Sequence, residues 1–198
     1  LNNVMEINGQ KIGTDYPTYF IADVAASHDG ELSRAIDLIY QCAERGADAA
    51  KFQHFEAETI VSDFGFKSLG SQKSHQSSWK KSVSDVYKDA SLPFHWTREL
   101  KKAADDAGID FFTSPYSFEL VDKVDPYVCA FKIGSGDLTW HDIIAYIAKK
   151  ISHIFWPQEP HLLLKCNRLF RLGWRITKNS VLCSAIPIIQ LAKITLII

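Results

Sequence analysis

The 198-residue chain has a formal net charge of −1 and 46% hydrophobic residues. This composition favours one globular domain with a substantial core and gives no indication of nucleic acid binding. The charge is unevenly distributed, because residues 151–198 hold six basic residues against the single acid Glu159, whereas the first 150 residues hold 16 basic and 22 acidic residues.

The cysteines and the apolar segments indicate the cellular location of the protein. No two cysteines are closely spaced and no signal peptide is evident at the start, which predicts a reducing, cytoplasmic location and argues against zinc. No apolar run reaches the roughly 18–20 residues that cross a bilayer, so we expect no membrane association. The cysteines are Cys42, Cys129, Cys166 and Cys183.

The first elements are a hairpin and a βα unit. Asn8-Gly9 lies between two short alternating segments and predicts a two-residue hairpin turn, since both positions tolerate positive φ. The apolar run from Thr18 to Ala26 predicts a strand. The residues after "SHDGE" recur at helical spacing up to Gly46, which predicts a helix that ends there.

The strand and helix pattern then repeats three more times. Because the strands are apolar throughout, they predict a parallel sheet covered by helices, and the fold class is α/β. The further strands are "ADAAKFQ", "IDFFTS" and "VCAFKIGS", and the further helices are "LPFHWTRELKKAADDAG", "SFELVDKV" and "WHDIIAYIAKK".

A long polar insert runs from Glu56 to Ala90, directly after the second strand of this repeat. Loops of this length are functional or disordered, and barrel active sites are built at the carboxyl ends of strands. We favour a lid or substrate loop, with disorder as the alternative.

Polar side chains follow each of the four strands. In a (β/α) barrel these carboxyl ends share one mouth. Lysines, hydroxyls and the glycines of "GSG" suit an anionic ligand such as a phosphate or carboxylate. The residues are Asp23, Lys51, Gln53, Thr113, Ser114, Lys132, Ser135 and Asp137.

These residues also have simpler structural explanations. A single strand-end lysine is more often solvated or ion-paired than a ligand, and "GSG" alone fits an ordinary turn. His28 could be a base or a metal ligand, but a loop-anchoring hydrogen bond is the commoner role. For His54, His75 and His95 we expect solvated positions in loops or at helix starts.

Several motifs together resemble the sialic acid synthase family, over residues 5–150 and in the same order. The family pattern IAEIGxNHxG corresponds to "IADVAASHDG", KFQ is intact at residues 51–53, and KIxSGD is intact as "KIGSGD". The S-T-P-F-D stretch appears as "TSPYS". Asp23 stands where the family has Glu.

The resemblance implies an activity and a fold. Such enzymes condense phosphoenolpyruvate with an N-acetylated sugar aldehyde such as N-acetylmannosamine and release phosphate, on a (β/α)8 TIM barrel. A divalent metal (Mn or Mg) acts as Lewis acid, and the family's enzymes are homodimers. It further implies catalytic roles for Asp23 and Lys51, and substrate binding by Gln53, Ser114, Lys132, Ser135 and Asp137.

Residues 151–198 do not continue the resemblance, and the family's metal-binding histidines are not found. The segment has nine Ile and eight Leu without a helical or alternating period. A permitted choice of codons for residues 149–161 lets a shifted frame read N-K-P-Y-F-L-A-T-G-A-S, which resembles the family's fifth strand. The same shift in "VLCSAIPIIQ" permits A-L-Q-C-N-T-N-Y-T.

We therefore interpret residues 1–150 as the first half of the barrel, the first four βα units after a hairpin, and residues 151–198 as an out-of-frame tail. The chain alone is then expected to be inactive. Two other functions stay open. One is a Schiff-base aldolase using Lys51 or Lys132, and the other is a non-catalytic, anion-binding fragment.

Overall fold

The computed structural model describes residues 4–13, 15–68, 80–150, 154–157, 180–183 and 194–197. The strands are β1 (Met5–Ile7), β2 (Gln10–Ile12), β3 (Tyr19–Ala25), β4 (Ala49–His54), β5 (Asp110–Pro115), β6 (Phe131–Lys132), β7 (Ile154–Pro157), β8 (Ser180–Cys183) and β9 (Ile194–Ile197). The α-helices are α1 (Leu32–Glu44), α2 (Ala57–Ile60), α3 (Asp63–Ser68), α4 (Val83–Ala90), α5 (Thr97–Ala107), α6 (Phe118–Val124) and α7 (His141–Lys150).

The predicted hairpin is present, and it packs at the amino ends of the sheet strands. Asn8 and Gly9 both have positive φ, at 46° and 81°, as the turn between β1 and β2 requires. Ile7 and Ile12 are buried in a core cluster of strand residues. Asn8 donates a hydrogen bond to Asp110 at the start of β5. The hairpin therefore covers the end of the sheet opposite the polar strand ends.

The sheet has seven parallel strands in the order β8-β7-β6-β5-β4-β3-β9. β3 to β6 lie next to one another in chain order, as successive βα units of a barrel do. The register of β3 against β4 shifts between Asp23 and Ala25, and Ala25 has a φ of 52°. This bulge re-aims the carboxyl end of β3.

Helices cover the outer face of the sheet. Ala35 and Ile39 of α1 pack with Leu100 and Ala104 of α5. Helix α5 ends at Gly108, whose φ of 73° is the left-handed conformation of a helix C-cap. The α/β class and the four βα units after a hairpin are confirmed.

The described parts of the insert contain short helices. These are α2, α3 and α4, and the side chain of Ser82 caps α4 by accepting a hydrogen bond from the Asp85 N–H at 3.1 Å. A cap and a short apolar periodicity suffice for one- and two-turn helices when they pack on a folded domain. The role of the insert as a lid or substrate loop stays a prediction. Residues 69–79 lie outside the described residues.

Three short strands come from residues 151–198. β7 pairs with β6 in parallel through Phe131 and Ile154, β8 extends the sheet beyond β7, and β9 pairs with β3. Ile154 and Phe155 are buried. The domain boundary at residue 150 and the out-of-frame origin of the tail stay predictions.

Candidate active site

The carboxyl ends of β3, β4 and β5 bring four of the predicted site residues to one face of the sheet. Asp23 is the register partner of Lys51, and Gln53 is the register partner of Ser114. Because side chains alternate along a strand, Lys51 and Gln53 point to the same face. Sequence periodicity and strand pairing together thus place these groups at one mouth.

Lys51 lies at the centre of this group. Its side chain is 2% exposed, and Nζ forms an ion pair with Asp23 Oδ1 at 2.6 Å. A lysine ammonium has three N–H donors, and the contact with Asp23 is an ion pair without hydrogen-bond geometry, since Asp23 Oδ1 has no hydrogen-bond partner in the described part of the chain. Ser114 on the neighbouring strand β5 is also buried, and its Oγ has no hydrogen-bond partner in the described part of the chain. Buried polar atoms without partners are rare, so this hydroxyl is a candidate ligand contact.

The turn after β6 supplies the fourth strand end. A single 3-10 turn over Ser135–Thr139 follows Lys132, and the Asp137 carboxylate folds back over Gly134. Burial raises the pKa of Asp137, while the charge of Lys132 opposes that shift. Ser135 is exposed on this turn, unlike the other seven predicted strand-end residues.

Tyr116 is a site residue to which the sequence analysis gave no role. Gln53 Nε2 donates to its hydroxyl oxygen at 3.4 Å, and a Cβ on Gly134 would lie 3.3 Å from that oxygen. Burial, assisted by the charges of Asp137 and Asp23, raises the pKa of Tyr116 to about 12. The strand period contained this signal, since Tyr116 lies two residues after Ser114 and so on the same face.

An open cavity of about 440 Å³ lies at the carboxyl ends of the strands, between them and the insert helices. Thr59 and Ile60 come from the segment of α2, and Tyr87 comes from α4. The insert thus contributes to the walls of the cavity, as a substrate loop would. The described lining residues are Gln53, Phe55, Thr59, Ile60, Tyr87, Tyr116, Asp137 and Trp140.

The prediction of a solvated His54 was wrong. The ring is fully buried, with Nδ1 2.7 Å from Thr113 Oγ1 and Nε2 2.9 Å from Thr97 Oγ1. Burial lowers the pKa of His54 to about 4. Thr113, predicted among the strand-end ligands, therefore faces the helix layer with His54. Alternation places both on the outer face, a signal that residue type alone concealed.

His28 has the structural role that was favoured for it. It is buried, its Nδ1 accepts a hydrogen bond from the Gly30 N–H at 3.0 Å, and its ring meets Trp96 edge-on. His95 is exposed, as expected. His75 lies outside the described residues.

The described ranges of the chain contain no group of three or more His, Cys, Asp or Glu side chains that could hold a metal ion. The residues present there do not fit the divalent metal that the resemblance implies. Within the same ranges, no helix has the length and apolar character needed to span a membrane.

The parallel βα units form half of a TIM barrel, with polar residues around Lys51 at the carboxyl ends of the strands. TIM-barrel enzymes bind phosphate and carboxylate ligands at this end of the barrel, so the protein belongs to the TIM-barrel class. The model of the NeuB family matches residues 38–156. The chain belongs to the NeuB family.

Two relatives and one solved structure illustrate the similarity. The N-acetylneuraminate-9-phosphate synthase of Homo sapiens is 32% identical over 144 residues, which are 72% of this chain and 39% of that protein. A pseudaminic acid synthase of Campylobacter jejuni is 28% identical over 146 residues, covering 69% and 40%. The N-acetylneuraminic acid synthetase of Leptospira borgpetersenii, solved with citrate, superposes with a TM-score of 0.75 at 19% identity, covering 94% of this chain and 60% of the other.

The chain thus spans about 39% of the length of the first of these relatives. Its relatives include synthases of sialic, pseudaminic and legionaminic acids. Several of the relatives are therefore nonulosonic acid synthases.

Proposed function

We propose that the strand-end residues bind phosphoenolpyruvate, as part of a condensation with an N-acetylated sugar aldehyde such as N-acetylmannosamine. The observation that carries this proposal is that the buried Lys51 side chain and the unpartnered Ser114 hydroxyl lie on one face of the sheet, at the carboxyl ends of adjacent strands. Charge-assisted hydrogen bonds from a lysine are strong contacts for phosphate and carboxylate oxygens. Lys132 supplies a second cation across the mouth.

In this reaction the enol carbon of phosphoenolpyruvate forms a bond to the aldehyde carbon, whose oxygen takes up a proton. This leaves a positive charge on the carbon that carries the phosphate. Water adds to that carbon and loses a proton, and the bond between the carbon and the phosphate oxygen then breaks to release phosphate. The chain's own residues hold the phosphate and carboxylate with Lys51, Ser114, Lys132 and Ser135, and orient the ligand with Gln53. Asp23 and Asp137 contact the sugar side and keep the lysines in place.

We infer that the 198-residue chain binds phosphoenolpyruvate without turning it over, because it covers only 39% and 40% of the human and Campylobacter synthases described above. Calorimetric titration with phosphoenolpyruvate tests binding. Incubation with phosphoenolpyruvate, N-acetylmannosamine and Mn²⁺, with a phosphate-release assay, tests turnover. No binding would overturn the proposed site, whereas robust phosphate release would overturn the inactivity of the chain alone.

A Schiff-base aldolase makes a different prediction. It requires a neutral amine, whereas Lys51 Nζ is paired with the Asp23 carboxylate at 2.6 Å. Treatment with pyruvate and borohydride should therefore leave the mass of the chain unchanged. A stable adduct on Lys51 or Lys132 would favour the aldolase instead.

Sequencing of the DNA decides the proposed origin of residues 151–198. We expect codons for residues 149–161 that let the shifted frame read the family's fifth strand, with a run of adenines at Lys149-Lys150. Codons that forbid this reading would exclude the frameshift.

Replacing Gly134 by alanine should weaken the binding of N-acetylmannosamine to the phosphoenolpyruvate-loaded chain. The added Cβ would lie 2.5 Å from Asp137 Oδ2, so the carboxylate must leave its position over the turn. Displacement of one well-placed polar group costs about 1 kcal/mol, and we expect an affinity loss of roughly fivefold, measured by titration calorimetry.

Gly136→Ala is the matched control for this variant. Its added Cβ would meet nothing within 4 Å of the described atoms, and the residue lies on the same turn. An equal loss in both variants would show that the turn as a whole, and not the Asp137 position, is responsible.

A further inference from the structure

The phenol of Tyr116 lies between the strand-end residues and the open cavity. Its oxygen accepts a hydrogen bond from Gln53 Nε2, and its ring meets Phe55 edge-on at 6.1 Å. In the described part of the chain, no hydrogen bond uses the hydroxyl hydrogen of Tyr116. This half-buried donor is therefore free for a ligand in the cavity that Tyr116 lines.

The cavity has walls that suit a neutral, hydroxylated ligand. Its described lining residues include the aromatic rings of Phe55, Tyr87, Tyr116 and Trp140, and no lysine or arginine. Aromatic faces pack against apolar C–H surfaces, whereas a phosphate requires cations or several N–H donors. Asp137 adds a carboxylate, which accepts hydrogen bonds from hydroxyls and repels an anion. The phosphate therefore belongs at the lysines, and an uncharged polyol belongs in the cavity.

The position of Tyr116 also separates it from the anion-binding residues. Ser114 and Tyr116 share one face at the carboxyl end of β5, two residues apart, which corresponds to roughly 7 Å along an extended chain. That spacing suits neighbouring groups on two adjoining ligands.

The phenol keeps its proton at neutral pH. Burial and the nearby carboxylates of Asp137 and Asp23 raise the pKa of Tyr116 to about 12. The group is thus a hydrogen-bond donor under any condition in which the protein would be assayed, and it does not act as a base.

We propose that Tyr116 is a specificity-determining residue whose hydroxyl donates a hydrogen bond to a hydroxyl or carbonyl oxygen of the acetamido sugar. This inference rests on the proposed function, because it places the second substrate beside the phosphoenolpyruvate site. The Tyr116 hydroxyl would then favour sugars that have an acceptor oxygen within its reach over sugars that lack one.

Tyr116→Phe removes only the hydroxyl and tests this role. Titration calorimetry on the full chain should give a phosphoenolpyruvate affinity within about twofold of the parent. Binding of N-acetylmannosamine to the phosphoenolpyruvate-loaded chain should weaken by roughly 3- to 10-fold, the range expected for one neutral hydrogen bond. Tyr40→Phe, at a residue that is 39% exposed on α1, is the control and should change neither affinity.

Fluorine NMR supplies a second readout. In the chain labelled with 3-fluorotyrosine, the Tyr116 resonance is the one missing from the Tyr116→Phe variant. We expect this resonance to shift when N-acetylmannosamine is added to the phosphoenolpyruvate-loaded chain, and to shift more than the Tyr40 resonance.

The outcomes separate this inference from the proposed function. Failure of the parent chain to bind phosphoenolpyruvate refutes the proposed function itself. If phosphoenolpyruvate binds, an unchanged sugar affinity in the variant, an unmoved fluorine resonance or an absence of sugar binding overturns the role of Tyr116. An equal loss of phosphoenolpyruvate affinity would also overturn it, by placing the phenol in the anion site.

Discussion

Lys51→Met should weaken phosphoenolpyruvate binding more than any other single substitution in this chain. The methionine keeps most of the packing of the buried side chain but removes the charge at the centre of the site. Hydrogen bonds to charged groups contribute about 1.5–3 kcal/mol, which corresponds to a loss of roughly 10- to 150-fold in affinity. Titration calorimetry at a fixed ionic strength measures the change.

Two further variants make this result interpretable. Lys102→Met removes a lysine whose side chain is 74% exposed on α5, and it should leave the affinity unchanged. Lys51→Met also leaves Asp23 without its partner, and an uncompensated buried charge destabilises a fold. The double variant Asp23→Asn and Lys51→Met relieves that charge, so it should fold like the parent and still fail to bind. Parent-like affinity in either Lys51 variant would contradict the proposed site.

The order of strands and helices could be predicted because each carries a local signal. Asn8-Gly9 fixes the hairpin, and the spacing of apolar residues up to Gly46 fixes the first helix. The strand-end position of Lys51 and Ser114 follows from the same reasoning, because parallel strands of one sheet end at the same side.

The contacts between these residues could not be predicted in the same way. The ion pair of Lys51 with Asp23 depends on the register of β3 against β4, which pairs Ile21 with Ala49 and so brings Asp23 opposite Lys51. Whether a polar residue near a strand end faces the mouth or the helices depends on a shift of one position. That shift separates Ser114 from Thr113, and Gln53 from His54.

Acidification should destabilise the fold through His54. The folded-state pKa is about 4, because burial disfavours the charged ring, whereas an unfolded histidine has a pKa near 6.5. Between these values the unfolded chain binds more protons, so stability is fully present above about pH 6.5 and falls as the pH drops toward 4. The free energy of unfolding should decrease by roughly 2 kcal/mol between pH 7 and pH 5. Urea unfolding followed by tryptophan fluorescence at both pH values measures it.

The acid sensitivity of His54 arises from the two threonines that enclose its imidazole ring. Thr113 on β5 and Thr97 at the start of α5 each contact one ring nitrogen, so a neutral His54 joins the strand to the helix layer without solvent. A charged ring has two N–H donors and loses its acceptor nitrogen, and it must also be desolvated. His54→Gln should therefore reduce the pH dependence while lowering stability at pH 7.

Comparison with other histidines isolates this effect. Burial also lowers the pKa of His28, so His54→Gln should keep part of the pH dependence, in the same direction. His95→Gln, at an exposed position, should keep all of it. If His54→Gln lost as much stability between pH 7 and pH 5 as the parent, the buried ring would have no part in the acid sensitivity.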